Sequence, residues 1–300
     1  MQLGMVGLGK MGANMSLRLL RDGHDLVCFD VNAENVETIR QHGATPATSL
    51  EDLVARLDTP RAVWVMVPAG EITQATIADL GGLLSSGDIV VDGGNSRFTD
   101  SKERAATLAE KGIAFIDAGT SGGIWGVTEG YCLMIGAEEE PFARLEPLFK
   151  SLAPEDGYAR VGPPGAGHFT KMVHNGIEYA LMQAYGEGFE LLHESEFDLD
   201  VGQIADVWRR GSVVRSWLLD LTARAFQNDP GLEGVDAYIE DSGEGRWTLG
   251  YAIDNAIPVP TIATALFARF ASRQDVSFAG KVIAALRREF GGHAIREAKR

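Results

Sequence analysis

Four polar side chains between residues 171 and 178 are spaced for chemistry. In Gly167-His168-Phe169-Thr170-Lys171-Met172-Val173-His174-Asn175-Gly176-Ile177-Glu178-Tyr179, the residues Lys171, His174, Asn175 and Glu178 fall at i, i+3, i+4 and i+7. If the segment is helical, all four share one face. Val173, Ile177, Ala180, Leu181 and Ala184 form an apolar stripe beside them. A lysine, a histidine, an amide and a carboxylate along one line supply a base, an acid and orienting groups together. On an arbitrary helix the same pattern is a solvated face, so what precedes it in the chain decides its meaning.

What precedes it is a dinucleotide-binding fingerprint. Gly7-Leu8-Gly9-Lys10-Met11-Gly12 follows the first strand-like run and opens the first helix-like one. Its first glycine permits the tight turn, its second lets backbone N–H groups approach a pyrophosphate, and its third allows close helix-to-strand packing. The second strand-like run ends at Asp30, where a carboxylate accepts hydrogen bonds from both adenosine ribose hydroxyls. A 2′-phosphate there would be repelled, and the next residues, Val31, Asn32 and Ala33, offer no cation to clamp one. The expected cofactor is NAD rather than NADP. Two later loops, Asp92-Gly93-Gly94-Asn95-Ser96 and Asp117-Ala118-Gly119-Thr120-Ser121-Gly122-Gly123, read as ligand loops at the carboxyl ends of strands. Asn95 and Ser121 bring hydrogen-bonding groups that suit either cofactor or a polyhydroxy substrate.

The elements that must position these residues alternate over the first half. Strand-like runs at 2–6, 25–29, 62–67, 88–92, 113–117, 131–135 and 158–161 are separated by helix-like stretches at 10–22, 33–42, 71–83, 97–111 and 139–151. This predicts a Rossmann-like, doubly wound parallel sheet over residues 1–162. The glycine- and proline-rich Gly162 to Gly167 then marks a boundary, and 163–300 reads as all-helical, with segments at 166–195, 200–210, 212–226, 233–240, 247–257, 258–272 and 277–290. A chain of 300 residues is long enough for two cores. No apolar run reaches the roughly 20 residues needed to span a bilayer, and the first strand-like run begins directly after Met1, so a cytoplasmic protein is expected. The net charge of −15 argues against a nucleic-acid surface. An anionic substrate would therefore require cations gathered locally. Cys28 and Cys132 each lie in an apolar strand-like run and are expected to be reduced core residues.

Read together, these motifs resemble the 6-phosphogluconate dehydrogenases. The matching stretches are GLGKMG at 7–12, DGGN at 92–95, SGG at 121–123, KMVHNGIEY at 171–179, GEGRWT at 243–248, FAR at 267–269 and FGGH at 290–293, spread from end to end of the chain. The resemblance implies a Rossmann domain followed by an all-helical substrate-binding and dimerisation domain. It implies that Lys171 is the general base toward the 3-hydroxyl of 6-phosphogluconate, a role that needs the amine partly neutral. Glu178 would protonate C1 after carbon dioxide leaves. Asn95, Ser121, Gly122, Gly123, His174 and Asn175 would meet the substrate carboxylate and hydroxyls; Tyr179, Arg246 and Arg269 would hold its phosphate. Arg287 and His293 would complete that phosphate site from the partner subunit of a homodimer or homotetramer. No metal is implied. Two departures stand out. Arg246 replaces the family's usual lysine, and Val67-Pro68-Ala69-Gly70 replaces the nicotinamide-side V-K-A-G, removing one cation near the cofactor. The long form of the family also carries a duplicated helical domain and a tail, and this chain resembles a shorter form.

The nearest enzymatic alternative is a β-hydroxyacid dehydrogenase of the 3-hydroxyisobutyrate type, which shares the fold, the SGG loop and the lysine. His174-Asn175 and the additional Glu178, a proton donor needed only after decarboxylation, favour the first reading. A non-catalytic NAD sensor would have no use for Lys171, Glu178, Arg246, Arg287 and His293 together.

Overall fold

Runs such as Ala62–Val65 contain no polar alternation because the sheet they enter is covered on both faces. In the computed structural model, which describes residues 1–296, the chain divides into two units, Met1–Asn175 and Gly176–Arg300. The first unit runs β1 (Gln2–Val6), α1 (Lys10–Arg21), β2 (Asp25–Phe29), α2 (Ala33–Arg40), β3 (Thr45–Pro46), α3 (Leu50–Ala55), β4 (Ala62–Val65) and α4 (Glu71–Leu83). It continues with β5 (Ile89–Asp92), α5 (Phe98–Ala109), β6 (Ala114–Ser121), α6 (Gly126–Glu129), β7 (Cys132–Gly136), α7 (Glu139–Leu152) and β8 (Tyr158–Gly162). The helical part comprises α8 (Ala166–His193), α9 (Val201–Trp208), α10 (Trp217–Asn228), α11 (Glu244–Asp254), α12 (Pro260–Ala271) and α13 (Phe278–Gly291). The expected boundary at 162/163 falls at the end of β8, whereas the first compact unit runs on through the opening turns of α8.

The eight strands are ordered β3-β2-β1-β4-β5-β6-β7-β8. The chain winds outward from β1 to β3 and then returns to the other side of β1 with β4. The crevice outside the carboxyl ends of β1 and β4 is thus the switch point at which such sheets bind ligands. Alternate side chains enter two cores: Leu3, Met5, Trp64 and Val91 join one cluster with Met15 and Phe149, while Val63, Val65 and Val90 join another with Leu53 and Leu80. Each such fully buried side chain contributes roughly 1.5–3 kcal/mol.

The Rossmann-like architecture followed by a helical region agrees with the sequence expectation, with local corrections. The sheet is not wholly parallel, because β7 pairs antiparallel to β6. Between them lie only a 3-10 turn at Gly123–Trp125 and the single-turn α6, too little chain for a parallel crossover, which takes a dozen residues or more. The strand expected at 113–117 extends as β6 to Ser121, so Ala118 to Ser121 are sheet residues rather than loop. Residues 233–240 are not helical. Val235, Tyr238 and Ile239 have helical spacing, but Asp229 accepts the N–H groups of Glu233 and Gly234 and Ser272 Oγ accepts that of Ile239, so the backbone bonds to side chains instead. Cys28 is buried as expected; Cys132, the first residue of β7, is exposed.

Behind the DGGN loop sits a buried ion pair. Arg104 Nη1 donates to Asp92 Oδ2 at 2.8 Å, with both side chains almost wholly buried, and Arg104 Nε donates to Gln74 Oε1. Asp92 also accepts from Gly94 N–H and Ser96 Oγ, so Arg104 fixes the loop that carries Asn95. Arg104→Ala leaves a buried carboxylate without its counter-charge and should cost about 3–5 kcal/mol in urea unfolding. A loss below about 1 kcal/mol, the range of an exposed pair, would show that water reaches Asp92 and that the pair does not hold the loop.

Candidate active site

The cradle after β1 is shaped by what its glycines exclude. Gly7 has φ +92°, and a Cβ there would lie 2.5 Å from the carbonyl oxygen of Met66. A Cβ on Gly12 would run into the carbonyl of Gly7, which is how α1 starts so close to β1. Above Gly9, by contrast, nothing lies within 4 Å. An open, glycine-lined loop over the N-terminus of a 12-residue helix fits the pyrophosphate of a dinucleotide. Leu8, Lys10 and Met11 complete this turn; Leu8 is buried and Lys10 is exposed. Asp30, at the carboxyl end of β2, accepts Leu8 N–H through Oδ2 at 2.5 Å and Asn32 N–H through Oδ1 at 2.7 Å. It therefore ties the second strand to the glycine loop while remaining part-exposed. On the other side of the switch point, Val67, Pro68 and Ala69 leave β4, with Pro68 and Ala69 exposed and the carbonyl of Pro68 accepting from Thr73 Oγ1 at 2.8 Å.

The groups expected to meet substrate fall into two sets. In the first unit Asn95, at φ +53°, is clasped to β6: its Oδ1 accepts Thr120 N–H at 2.9 Å and its Nδ2 donates to the carbonyl of Thr120 at 3.2 Å. Both amide atoms thus have a protein partner, and one further donor and acceptor position of the side chain is left for a ligand. At the end of β6, Ser121 Oγ lies 3.4 Å from His174 Nε2. Gly122 and Gly123 follow with φ +130° and +52°, backbone that L side chains rarely adopt. Lys171 is only 6% exposed. Its Nζ donates to Asn175 Oδ1 at 2.6 Å and lies 3.5 Å from His174 Nδ1, which is itself 3.1 Å from the same amide oxygen. A buried amine, an imidazole, an amide and a hydroxyl therefore form one hydrogen-bonded chain. α8 is continuous from Ala166 to His193, so Glu178, part-exposed, follows on the same helical face.

The groups that fix this chain in place are less conspicuous in sequence. Asp117, fully buried, accepts Gly165 N–H through Oδ1 at 2.6 Å and His168 N–H through Oδ2 at 2.7 Å. Burial raises its pKa above the ordinary carboxylate value, against the lowering effect of His168 and of both N–H bonds. His168, also buried, pairs through Nδ1 with Ser101 Oγ at 2.7 Å. The sequence signal for Asp117 was its place in the DAGTSGG stretch; its role as an anchor of α8 carried none.

In the second unit a cation group surrounds Tyr179. Arg269 stacks on the Tyr179 ring, its Cζ 3.6 Å from the centroid, and donates to the carbonyl of Glu240 at 2.8 Å. The Tyr179 hydroxyl accepts Ser242 N–H at 3.2 Å. Arg246 forks onto Asp241 through Nε at 2.7 Å and Nη2 at 2.9 Å. These bonds, from Arg246 first and then Arg273, hold the Asp241 carboxyl down at about 2. Arg287, on α13, and His293, just beyond it, are exposed, and among the described residues no hydrogen bond or ion pair links either to the Tyr179 group. His293 instead meets the ring of Phe290 edge-on.

A dinucleotide cradle at a sheet's switch point, with a buried lysine on the helix that leaves the sheet, defines a nicotinamide-dependent oxidoreductase. Residues 2–162 match the NAD binding domain of 6-phosphogluconate dehydrogenase and residues 167–284 match the C-terminal domain of that enzyme. The NAD(+)-dependent, decarboxylating 6-phosphogluconate dehydrogenase of Haloferax volcanii is 45% identical over 297 residues, covering 98% of each chain. The 6-phosphogluconate dehydrogenase of Plasmodium falciparum superposes with a TM-score of 0.84 at 25% identity, over 97% of this chain and 65% of that one. A 3-hydroxyisobutyrate dehydrogenase of Mycobacterium tuberculosis superposes with a TM-score of 0.74, also at 25% identity, over 95% of this chain and 99% of that one. The chain belongs to the 6-phosphogluconate dehydrogenase family. No helix among the described residues is long and apolar enough to cross a membrane.

Gly119 tests how tightly α8 must sit. A Cβ there would lie 2.6 Å from Lys171 Cβ and 2.7 Å from the carbonyl oxygen of Gly167. Gly119→Ala should displace the first turns of α8 and lower kcat on the order of 100-fold, the scale of a 1 Å misplacement. Dinucleotide binding, followed by fluorescence, should hardly change; equal loss of both would mean that the whole sheet is disturbed.

Proposed function

We propose that the chain is an NAD-dependent, cytoplasmic 6-phosphogluconate dehydrogenase that converts 6-phosphogluconate oxidatively to ribulose 5-phosphate and carbon dioxide. The observation that carries this reading is the buried Lys171, bonded to Asn175 and next to His174, which itself reaches Ser121, on the helix that also presents Glu178. A nicotinamide held in the glycine cradle would supply the hydride acceptor for C3 of the substrate. Lys171 Nζ takes the proton of the 3-hydroxyl, and the Asn175 amide oxygen holds that amine in position. The resulting 3-keto acid carries its carboxylate β to the ketone. As carbon dioxide leaves, the ammonium of Lys171 donates to the developing enolate oxygen, and the burial of that side chain limits competing water. Glu178 then delivers a proton to C1 of the enediol while Lys171 takes back the proton of the enol hydroxyl, which leaves the ketone of ribulose 5-phosphate.

Ser121, the N–H groups of Gly122 and Gly123, His174 and Asn95 hold the carboxylate and hydroxyls on this reading. Tyr179, Arg246 and Arg269 take the phosphate, where a guanidinium in place of lysine offers a fork rather than a point charge. The Asp30 carboxylate supports NAD over NADP. The apolar side chains of α13, Phe278, Val282, Ile283, Leu286 and Phe290, are all exposed. That supports assembly as a homodimer or homotetramer in which Arg287 and His293 reach the phosphate site of a second copy. The second reading, a 3-hydroxyisobutyrate-type dehydrogenase, is favoured by the superposition along nearly the whole length of such an enzyme.

The test is the initial rate of nicotinamide reduction on 6-phosphogluconate with NAD and NADP side by side, with carbon dioxide followed in parallel. NAD-linked turnover with one carbon dioxide per nicotinamide reduced is expected, and Lys171→Met should abolish it while leaving NAD binding intact. Activity on a short 3-hydroxy acid without gas release would move the assignment to the second reading, and unimpaired Lys171→Met would overturn the mechanism.

A further inference from the structure

Arg273 carries a role that the motifs do not assign. It lies just beyond α12, one helical turn after Arg269, and its Nη2 donates to Asp241 Oδ2 at 2.9 Å. The same oxygen accepts Arg246 Nη2, also at 2.9 Å, so two guanidiniums converge on one atom. The ring of Phe270 backs both, 4.4 Å from Arg246 Cζ and 5.3 Å from Arg273 Cζ. The carboxylate is the buried member: the Asp241 side chain is 3% exposed, those of Arg246 and Arg273 are 53% and 23% exposed. An anion arriving from solvent therefore meets guanidinium, not carboxylate. Arg273 Nε and Nη1 have no acceptor among the described residues, which leaves the guanidinium with N–H donors for a second anion.

The local charge agrees. Arg246, Arg269 and Arg273 against Asp241 leave an excess of two positive charges in a chain whose net charge is −15. A phosphomonoester near neutrality carries about −1.5 to −2. Arg246 and Arg269 alone, with Asp241 pairing one of them, would leave only half of that compensated.

We propose that Arg273 is a third guanidinium on the phosphate of the substrate, and that Asp241 is a positioning residue whose buried carboxylate holds Arg246 and Arg273 side by side. This rests on the reading of the Tyr179 group as a phosphate site. Arg273→Ala and Arg273→Lys in the full chain test it through three quantities: kcat and KM on 6-phosphogluconate, competitive inhibition by gluconate, and binding of inorganic phosphate followed by phosphorus NMR line width. Loss of one charge-assisted hydrogen bond predicts KM raised about tenfold or more in Arg273→Ala, with kcat little changed. Phosphate binding should weaken by a similar factor, gluconate inhibition should stay as it was, and Arg273→Lys should recover part of the loss. Unchanged KM and phosphate binding would overturn the proposal, as would equal weakening of gluconate and phosphate, the mark of a merely structural strut. The phosphate titration needs no turnover. A wild-type chain inactive on 6-phosphogluconate would count against the proposed reaction alone, while the loss of phosphate binding in Arg273→Ala would still decide the role of Arg273.

Discussion

The docking of α8 onto the end of β6 rests on one carboxylate. Asp117 accepts the N–H groups of Gly165 and His168, two donors that the first turn of any helix leaves without intrahelical partners. A negative charge there also opposes the positive end of the helix. Burial makes that charge costly, as the raised pKa of Asp117 records, and the N–H bonds and the nearby His168 offset the cost only in part. The arrangement leaves no slack. Gly119, Gly136 and Gly167 lie where a Cβ would strike backbone across the β6–β7–α8 junction. With the helix origin fixed to this extent, Lys171, one turn further along, is placed by the sheet itself, and its amine finds Asn175 without a flexible loop between.

This junction also shows where sequence reasoning reaches and where it stops. Strands β1, β2, β4 and β5 are legible because cover on both faces demands unbroken apolar runs, and the glycine fingerprint is legible because its spacing follows from backbone contacts. β3, with two residues, and α3, with six, are too short to produce a period. The extension of β6 through Ser121 was hidden because Asp117-Ala118-Gly119 has the composition of a turn. Its small residues serve close packing beneath α8 instead. The polar face of α8 could be drawn from spacing alone, including the Lys171–Asn175 pair at i, i+4. The exposure of Cys132 could not, since its neighbours Leu133 to Ile135 are buried and only the position at the strand's start sets it apart.

Charge is distributed on the same logic of local need against global balance. An acidic chain keeps its surface repulsive toward anions in general, and the cations that would bind one must be held together despite their mutual repulsion. Asp241 supplies the counter-charge and Phe270 and Tyr179 supply aromatic faces, so three guanidiniums are held together in the second unit. The sequence displayed Arg246 and Arg269 through their motifs. Arg273 and Asp241 lie outside any motif, and only their shared oxygen identifies them.

Asp30 sets a comparable constraint on the cofactor side. Both of its oxygens already serve the fold, one accepting Leu8 N–H and the other Asn32 N–H. Each carboxylate oxygen has a second lone pair, so on the proposed reading the ribose hydroxyls donate to a group that is already immobilised, with little ordering left to be done on binding. The same economy limits change. Replacing Asp30 to admit a 2′-phosphate would remove the repulsive charge, but it would also release Leu8 in the middle of the glycine loop, whose shape the pyrophosphate requires. On that reading cofactor preference and loop geometry are one property rather than two, and a shift toward NADP would have to re-anchor Leu8 N–H as well as supply a cation.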